Sequence, residues 1–479
     1  MKKIILIATA IIIASCSNNL EDLNKNIKDP DSVSGESLFT SAQKALVDQI
    51  TTLEVNENNT KLWSQFLQET TYTDESNYDQ VTRTIPENLW SAMYRDVLKD
   101  FDEAEKIISE TDYLSDEEAT FTDNKLTIIE ILKVYTFAHL VETFGNVPYS
   151  EALNIDILSP KYDDGMTIYK DLISRLTTAI DNLDTTKDSF INKEDNIFDG
   201  DVASWKRFAS SLKLRMGIVL ADADNSFAQT TVEDAISSGL ITNSDQNANM
   251  QYLSAAPNTH PVHKEVVLSG RNDFVAAVTL TDILNNLNDP RRPLWLQTVD
   301  GDYVGGDIGS PSSYASHSPL SEEVAKANAP GVIMSYSEVQ FLLAEAAARG
   351  YTTGDTAANH YAAGITASIL EWGGSTTDAT TYLAQPTVDY TTLTATKTWR
   401  EVIGTQRWIS LFNRGVEAWL SIRIMDFPAM AEPEEAVSGF PNRYTYPIVE
   451  QTINGDNYQE ASTAIGGDMA ETKLFFDKF

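Results

Sequence analysis

The sequence predicts a mostly α-helical protein, and three observations carry that reading. Apolar residues recur at three-to-four spacing in stretch after stretch, strand-like alternation is scarce, and the helical stretches fall into consecutive pairs. Leu38, Ala42, Leu46 and Ile50 mark the first helix. Pro86 is placed to open the next at its first turn, where its missing N–H costs nothing. Beyond it Leu89, Trp90, Met93, Tyr94, Val97, Leu98, Phe101 and Ala104 hold one apolar face. Residues 126–143 are apolar nearly all round, as expected of a buried helix. Ile168, Tyr169, Leu172, Ile173, Leu176, Ala179, Ile180 and Leu183 form another stripe, and similar stretches follow at 205–220, 337–349, 357–372, 399–412 and 415–423. Gly350 is placed as a helix stop. Trp90, Trp205 and Trp408 sit on helical stripes and read as core.

The expected pairs are 126–143 with 166–183, 205–220 with 231–239, 337–349 with 357–372, and 399–412 with 415–424. Stacked helical hairpins are how tetratricopeptide arrays bury their apolar faces, but no clean repeat of about 34 residues is present. Periodicity alone leaves an α-array and an irregular bundle equally open. Residues 241–335 are rich in Asn, Ser, Gly, Pro and Tyr and read as a long irregular insertion, a kind of segment that usually carries function.

Charge narrows the class. The chain has 35 Lys+Arg against 70 Asp+Glu, a formal net charge of −35. Nucleic-acid binders need a basic footprint, so nucleic acid is excluded as a partner. The acidic field is that of a solvated body, and it favours a ligand bearing positive charge over one bearing negative charge.

At the N-terminus Lys2 and Lys3 precede an apolar run over residues 4–14, followed by Ser15 and Cys16, the single cysteine of the chain. The run is too short to span a bilayer, which takes about 20 apolar residues, and it suits the h-region of a secretory signal. Ile13-Ala14-Ser15-Cys16 resembles a bacterial lipoprotein signal. That resemblance implies removal of residues 1–15 and acylation of Cys16; the alternative is an ordinary signal peptide with an incidental cysteine. Residues 16–36 then read as a lipidated tether and 37–479 as a single helical domain carrying the 241–335 insertion. Glu21-Asp22 resembles the loose signal that exports some lipoproteins to the cell surface.

Several strings recur in a recognisable order. They are Phe144-Gly145-Asn146-Val147-Pro148-Tyr149, Pro160-Lys161-Tyr162-Asp163, Trp205-Lys206-Arg207-Phe208-Ala209, Asn288-Asp289-Pro290-Arg291, Leu343-Ala344-Glu345-Ala346, Pro441-Asn442-Arg443 and Gly466-Gly467-Asp468. Together they resemble the SusD/RagB family of nutrient-binding outer-membrane lipoproteins. One departure is Phe475-Phe476, where the family often carries a tryptophan pair. The resemblance implies a tetratricopeptide-like scaffold of about four helix pairs with an irregular ligand-binding part packed on it. It implies an outer-membrane protein facing the exterior that binds a glycan or an oligopeptide and delivers it to a SusC-type TonB-dependent transporter. It implies no catalysis. The strings themselves read as structural: Gly145 as a helix stop, Arg291 or Arg292 as a carboxylate partner, and Glu345 as an interhelical pair.

Catalytic chemistry finds little support. There is no G-x-S-x-G elbow, no phosphate loop and no H-E-x-x-H helix. Of the five histidines only His260 and His263 are close, and Pro261 between them argues for an exposed turn rather than a metal face. No cofactor or metal site is expected. An all-α polysaccharide hydrolase and a non-catalytic helical-repeat scaffold remain as the competing readings. Binding is better supported, because rigid aromatics in loops supply platforms for sugar rings or peptide anchors. Tyr72 and Tyr78 frame the polar loop 73–77, and Trp295, Tyr303 and Tyr314 lie in the insertion near Asp300, Asp302 and Asp307. These five are the expected ligand contacts, on loops 70–85 and 241–335.

Overall fold

The structure, a computed structural model, describes residues 33–113 and 115–479. Cys16 and most of the segment read as a tether lie outside them. Helix α1 (Gly35–Thr51) opens on Ser34, whose hydroxyl accepts the Ser37 N–H, so the helical body begins two residues ahead of the expected boundary. Helix α2 (Ile85–Ser91) carries Pro86 in its first turn. It continues through a π-helical stretch (Ala92–Leu98) into α3 (Lys99–Glu110). The remaining long helices are α4 (Thr122–Phe144), α5 (Gly165–Asn182), α6 (Val202–Val219) and α7 (Asn225–Ser238). After them come α8 (Val278–Asn286), α9 (Tyr336–Ala348), α10 (Ala357–Glu371), α11 (Trp399–Ser410) and α12 (Gly415–Met425).

All four expected pairs form: α4 on α5, α6 on α7, α9 on α10 and α11 on α12. They also stack in sequence, with α5 against α6, α6 against α9, and α9 against α11. The array therefore prevails over the irregular bundle. Helix α4 has α3, α5, α6 and the π-helical stretch packed around it, which is why its surface is apolar nearly all round. Buried ion pairs tie the layers together. Glu338 on α9 receives Arg215 of α6 at 2.7 Å and Arg414, at the mouth of α12, at 2.7 Å. Glu345, fully buried, pairs with Arg407 of α11 at 3.0 Å, in keeping with its interhelical reading.

The recognised strings prove to be the joints between distant parts. Helix α4 stops at Gly145, whose φ of +89° is open to glycine at little cost. Around that stop Arg443 donates to the Phe144 carbonyl at 3.1 Å and pairs with Asp468 at 2.5 Å, while the Tyr446 hydroxyl reaches the Asn146 carbonyl at 2.8 Å. Asp289 and Arg291 form a fully buried bidentate pair, with bonds of 2.9 and 2.6 Å. Phe475 packs on Tyr169 and Phe476 is buried, so the aromatic pair keeps a packing role.

Among the described residues six short strands stitch the loops: β1 (Leu67–Glu69), β2 (Val147–Pro148), β3 (Tyr162–Asp163), β4 (Ala248–Met250), β5 (Phe274–Ala276) and β6 (Gly331–Met334). They form three antiparallel two-stranded ribbons, β1 with β5, β2 with β3 and β4 with β6. The insertion is thus less irregular than its composition implies. The β4–β6 ribbon closes its two ends, the β1–β5 ribbon pins its middle to the first loop, and α8 and single-turn helices occupy its interior.

Candidate functional site

The two loops singled out from the sequence meet. In the β1–β5 ribbon Leu67 faces Ala276 and Glu69 faces Phe274. Thr70 extends it by donating to the Asp273 carbonyl at 2.8 Å. On the other edge of β1 the Ser312 N–H donates to the Glu69 carbonyl at 3.3 Å, and the Gly309 N–H to Gln68 Oε1 at 3.0 Å. Asn77 closes the joint by donating to the Gly309 carbonyl at 2.7 Å. Gly309 has φ +75°, and a Cβ there would fall 2.5 Å from Asn77 Oδ1, so the close approach needs glycine. Segments 67–80, 270–276 and 303–318 therefore build one continuous face.

The five expected contacts divide on it. Tyr72 is 74% exposed and Tyr314 37% exposed, and each lies a few residues beyond the Glu69–Ser312 junction. Tyr72 adopts φ +56°, a left-handed conformation seldom taken by a bulky side chain. Tyr303 is half-buried, with the Arg292 guanidinium 5.5 Å from its ring centre. Two expectations need correction. Tyr78 is 3% exposed and packs edge-on against Phe440, and Trp295 is wholly buried, stacked on Phe412 at 4.3 Å. Neither presents a surface to a ligand. Tyr78 sits in polar sequence and Trp295 between Leu294 and Leu296, and the fold closes over both.

Beneath this face lie two carboxyls that the sequence did not single out. Glu69 accepts bonds from the Ser76 N–H at 3.0 Å and the Ser76 hydroxyl at 2.8 Å. Burial, then the neighbouring Glu75, push Glu69 up to about 9, so it holds a proton at neutral pH. Glu75 is itself raised by burial and pairs with Arg83.

The histidine pair also differs from expectation. His260 is 2% exposed, and its Nδ1 accepts the Val262 N–H at 3.1 Å to cap a single helical turn. Burial and the nearby Lys61 hold it down at about 3, so it is neutral. His263 turns away, its Nδ1 lying 2.7 Å from the Ala325 carbonyl. His260 instead lines a cavity of about 610 Å³ between the end of α1, the insertion, and the ends of α10 and α11. Only its position after folding reveals it, since its walls come from six separate stretches of chain. Among the described residues no group of three or more His, Cys, Asp or Glu is placed to hold a metal ion. No helix among them is long and apolar enough to cross a membrane.

The helix-pair array thus carries one loop-built face on which Tyr72 and Tyr314 stand exposed. The family model described as "Starch-binding associating with outer membrane" (SusD-like) matches residues 25–447, and the chain belongs to that family. Solved structures share the fold. A chitin-binding protein is 24% identical with a TM-score of 0.79, covering 93% of this chain and 100% of its own. A SusD homologue from Bacteroides thetaiotaomicron is 23% identical with a TM-score of 0.78, covering 94% and 100%. A chitin-binding SusD homologue from Flavobacterium johnsoniae is 22% identical with a TM-score of 0.77, covering 92% and 97%. No curated sequence relative was found.

Proposed function

We propose that the protein is a lipid-anchored glycan-binding protein of the outer cell surface that passes oligosaccharide to a SusC-type TonB-dependent barrel. The observation that carries the reading is the joined face: Tyr72 and Tyr314 stand exposed on two loops locked together by backbone bonds. Sugars combine apolar ring faces with hydroxyl groups, and exposed tyrosines on a fixed backbone answer both. Family membership and the chitin-binding relatives support the same ligand class. Cys16 is the proposed anchor. The partner surface is proposed around Ile155, Leu158 and Ile453, large apolar side chains left exposed. They are brought together by the Asn457 amide donating to the Ser159 carbonyl at 3.0 Å.

Affinity electrophoresis against soluble starch and soluble chitin fragments tests the ligand. Retardation by at least one is expected, with the glycan recovered uncut. Replacing both Tyr72 and Tyr314 by alanine is expected to weaken binding about tenfold, while Trp295→Ala acts by loosening the core. Binding unchanged in the double variant would place the ligand elsewhere, and shortened glycan products would favour the hydrolase.

A further inference from the structure

On the glycan-binding reading of the tyrosine face, on which this rests, we infer that His317 fixes Tyr314 in place and offers its outer ring nitrogen to a ligand hydroxyl. Tyr314 lies in an exposed stretch, residues 313–316, between two buried serines. On one side the Ser312 N–H donates to the Glu69 carbonyl at 3.3 Å, and its hydroxyl to the Ser310 carbonyl at 3.1 Å. On the other the Ser318 N–H donates to the Val304 carbonyl at 2.7 Å, and the Ser318 carbonyl accepts the Ala276 N–H at 2.8 Å. The ends of the stretch are therefore pinned. Between them no buried apolar side chain holds the chain, so its shape rests on local hydrogen bonds.

Three of those bonds converge on the Ser313 carbonyl. The Ser316 N–H reaches it at 3.1 Å, closing a turn in which Tyr314 is the first corner residue. The Ser316 hydroxyl reaches it at 3.3 Å, and His317 Nδ1 at 2.8 Å, the shortest of the three. A carbonyl oxygen carries no proton, so Nδ1 must be the donor. Ser316 Oγ lies 3.2 Å from the same nitrogen and shares it. The imidazole thus straps the turn that carries Tyr314, and the strap sets its tautomer: the proton sits on Nδ1 and Nε2 is bare.

The bare nitrogen is free to work. No bond among the described residues uses Nε2, the ring is half-buried, and Nε2 is not one of the unpaired atoms sealed from solvent. A ring held at one nitrogen presents the other in a fixed direction, so little ordering is left to be done when a ligand arrives. A bare imidazole nitrogen accepts, and the group that donates to it on an uncharged sugar is a hydroxyl. Tyr314 supplies a surface for the apolar ring face, and His317 supplies a placed acceptor a few residues along the same strapped turn.

Nitrogen-15 NMR of the histidine rings in the full-length protein at pH 8 tests both roles. The His317 signals are identified by their absence from His317→Asn. A proton on Nδ1 is expected, and the Nε2 signal is expected to move when soluble starch or chitin fragments are added. Affinity electrophoresis against the same glycans supplies the second readout. His317→Ala, which loses strap and acceptor, is expected to bind about tenfold more weakly. His317→Asn keeps a donor for the Ser313 carbonyl but does not reach the place of Nε2. It is expected to recover all but about threefold, the size of one neutral hydrogen bond. Retardation of the parent by neither glycan would overturn the glycan reading and this contact with it. With the parent binding, a proton on Nε2, an Nε2 signal indifferent to glycan, or parent-level binding by either variant would overturn the role of His317 alone.

Discussion

Glu69 sits 3% exposed beside Glu75 and accepts two bonds from Ser76 of the tyrosine loop. Below its ordinary value of 4.5 the carboxyl is protonated in the folded and unfolded chain alike. As pH rises toward about 9 the unfolded chain gives up this proton and the folded chain keeps it, so stability falls across that window. Glu69→Gln imitates the protonated form and still accepts from Ser76. It is expected to stabilise the protein by about 1 kcal/mol or more at pH 8 and to leave stability at pH 4 unchanged. Urea melts of the variant and its parent at the two pH values check this; an equal effect at both would remove the protonated carboxyl from the account. Little of this was legible in the sequence. Glu69 and Glu75 are two of 70 acidic residues, and nothing in their local context marks them as facing one another. Tyr72 and Tyr78 look alike in sequence, six positions apart in one loop, yet Tyr78 is core through Phe440 and the Ala431 carbonyl, both more than 300 residues away.

At the scale of elements, the helix pairs were legible because each helix carries its own apolar stripe and stop signal, and a neighbour in sequence is its neighbour in space. The insertion was not, because its order comes from pairings such as Leu67 with Ala276, made between strands of three residues with no alternation to read. His260 shows the same limit: its cap and its cavity exist only once the insertion folds back on α1. The joint between pairs rests on Glu338, which two arginines share. Burial alone would raise its pKa, but Arg215 and Arg414 hold it down at about 2. A carboxylate so depressed contributes stability that is complete above its ordinary 4.5 and lost as pH falls from there toward 2. Glu338→Gln strands two buried guanidinium groups and is expected to cost about 3–5 kcal/mol at pH 7. The loss is expected to shrink as pH approaches 3, and chemical denaturation at both pH values measures it. A loss below about 1 kcal/mol at pH 7 would mean the helix layers hold without this joint.

For the whole molecule, a net charge of −35 keeps the body in water and away from anionic surfaces. On such a surface the exposed Ile155, Leu158 and Ile453 stand out as the proposed contact with the barrel. Replacing Ile155 and Leu158 by aspartate is expected to leave the melting temperature within a degree or two, since both side chains are largely exposed, and to weaken association with the transporter. The array that presents this surface, and its place in the SusD-like family, were both legible, since the helical stripes and the family strings, several of which form joints of this fold, stand in the sequence itself. The most direct test of the account is capture of the tagged protein from gently solubilised outer membranes, followed by mass spectrometry of what accompanies it. The account predicts a TonB-dependent β-barrel in near-equal amount, lost in the Ile155→Asp, Leu158→Asp variant. Recovery of the protein alone, under conditions that keep other outer-membrane complexes intact, would contradict it.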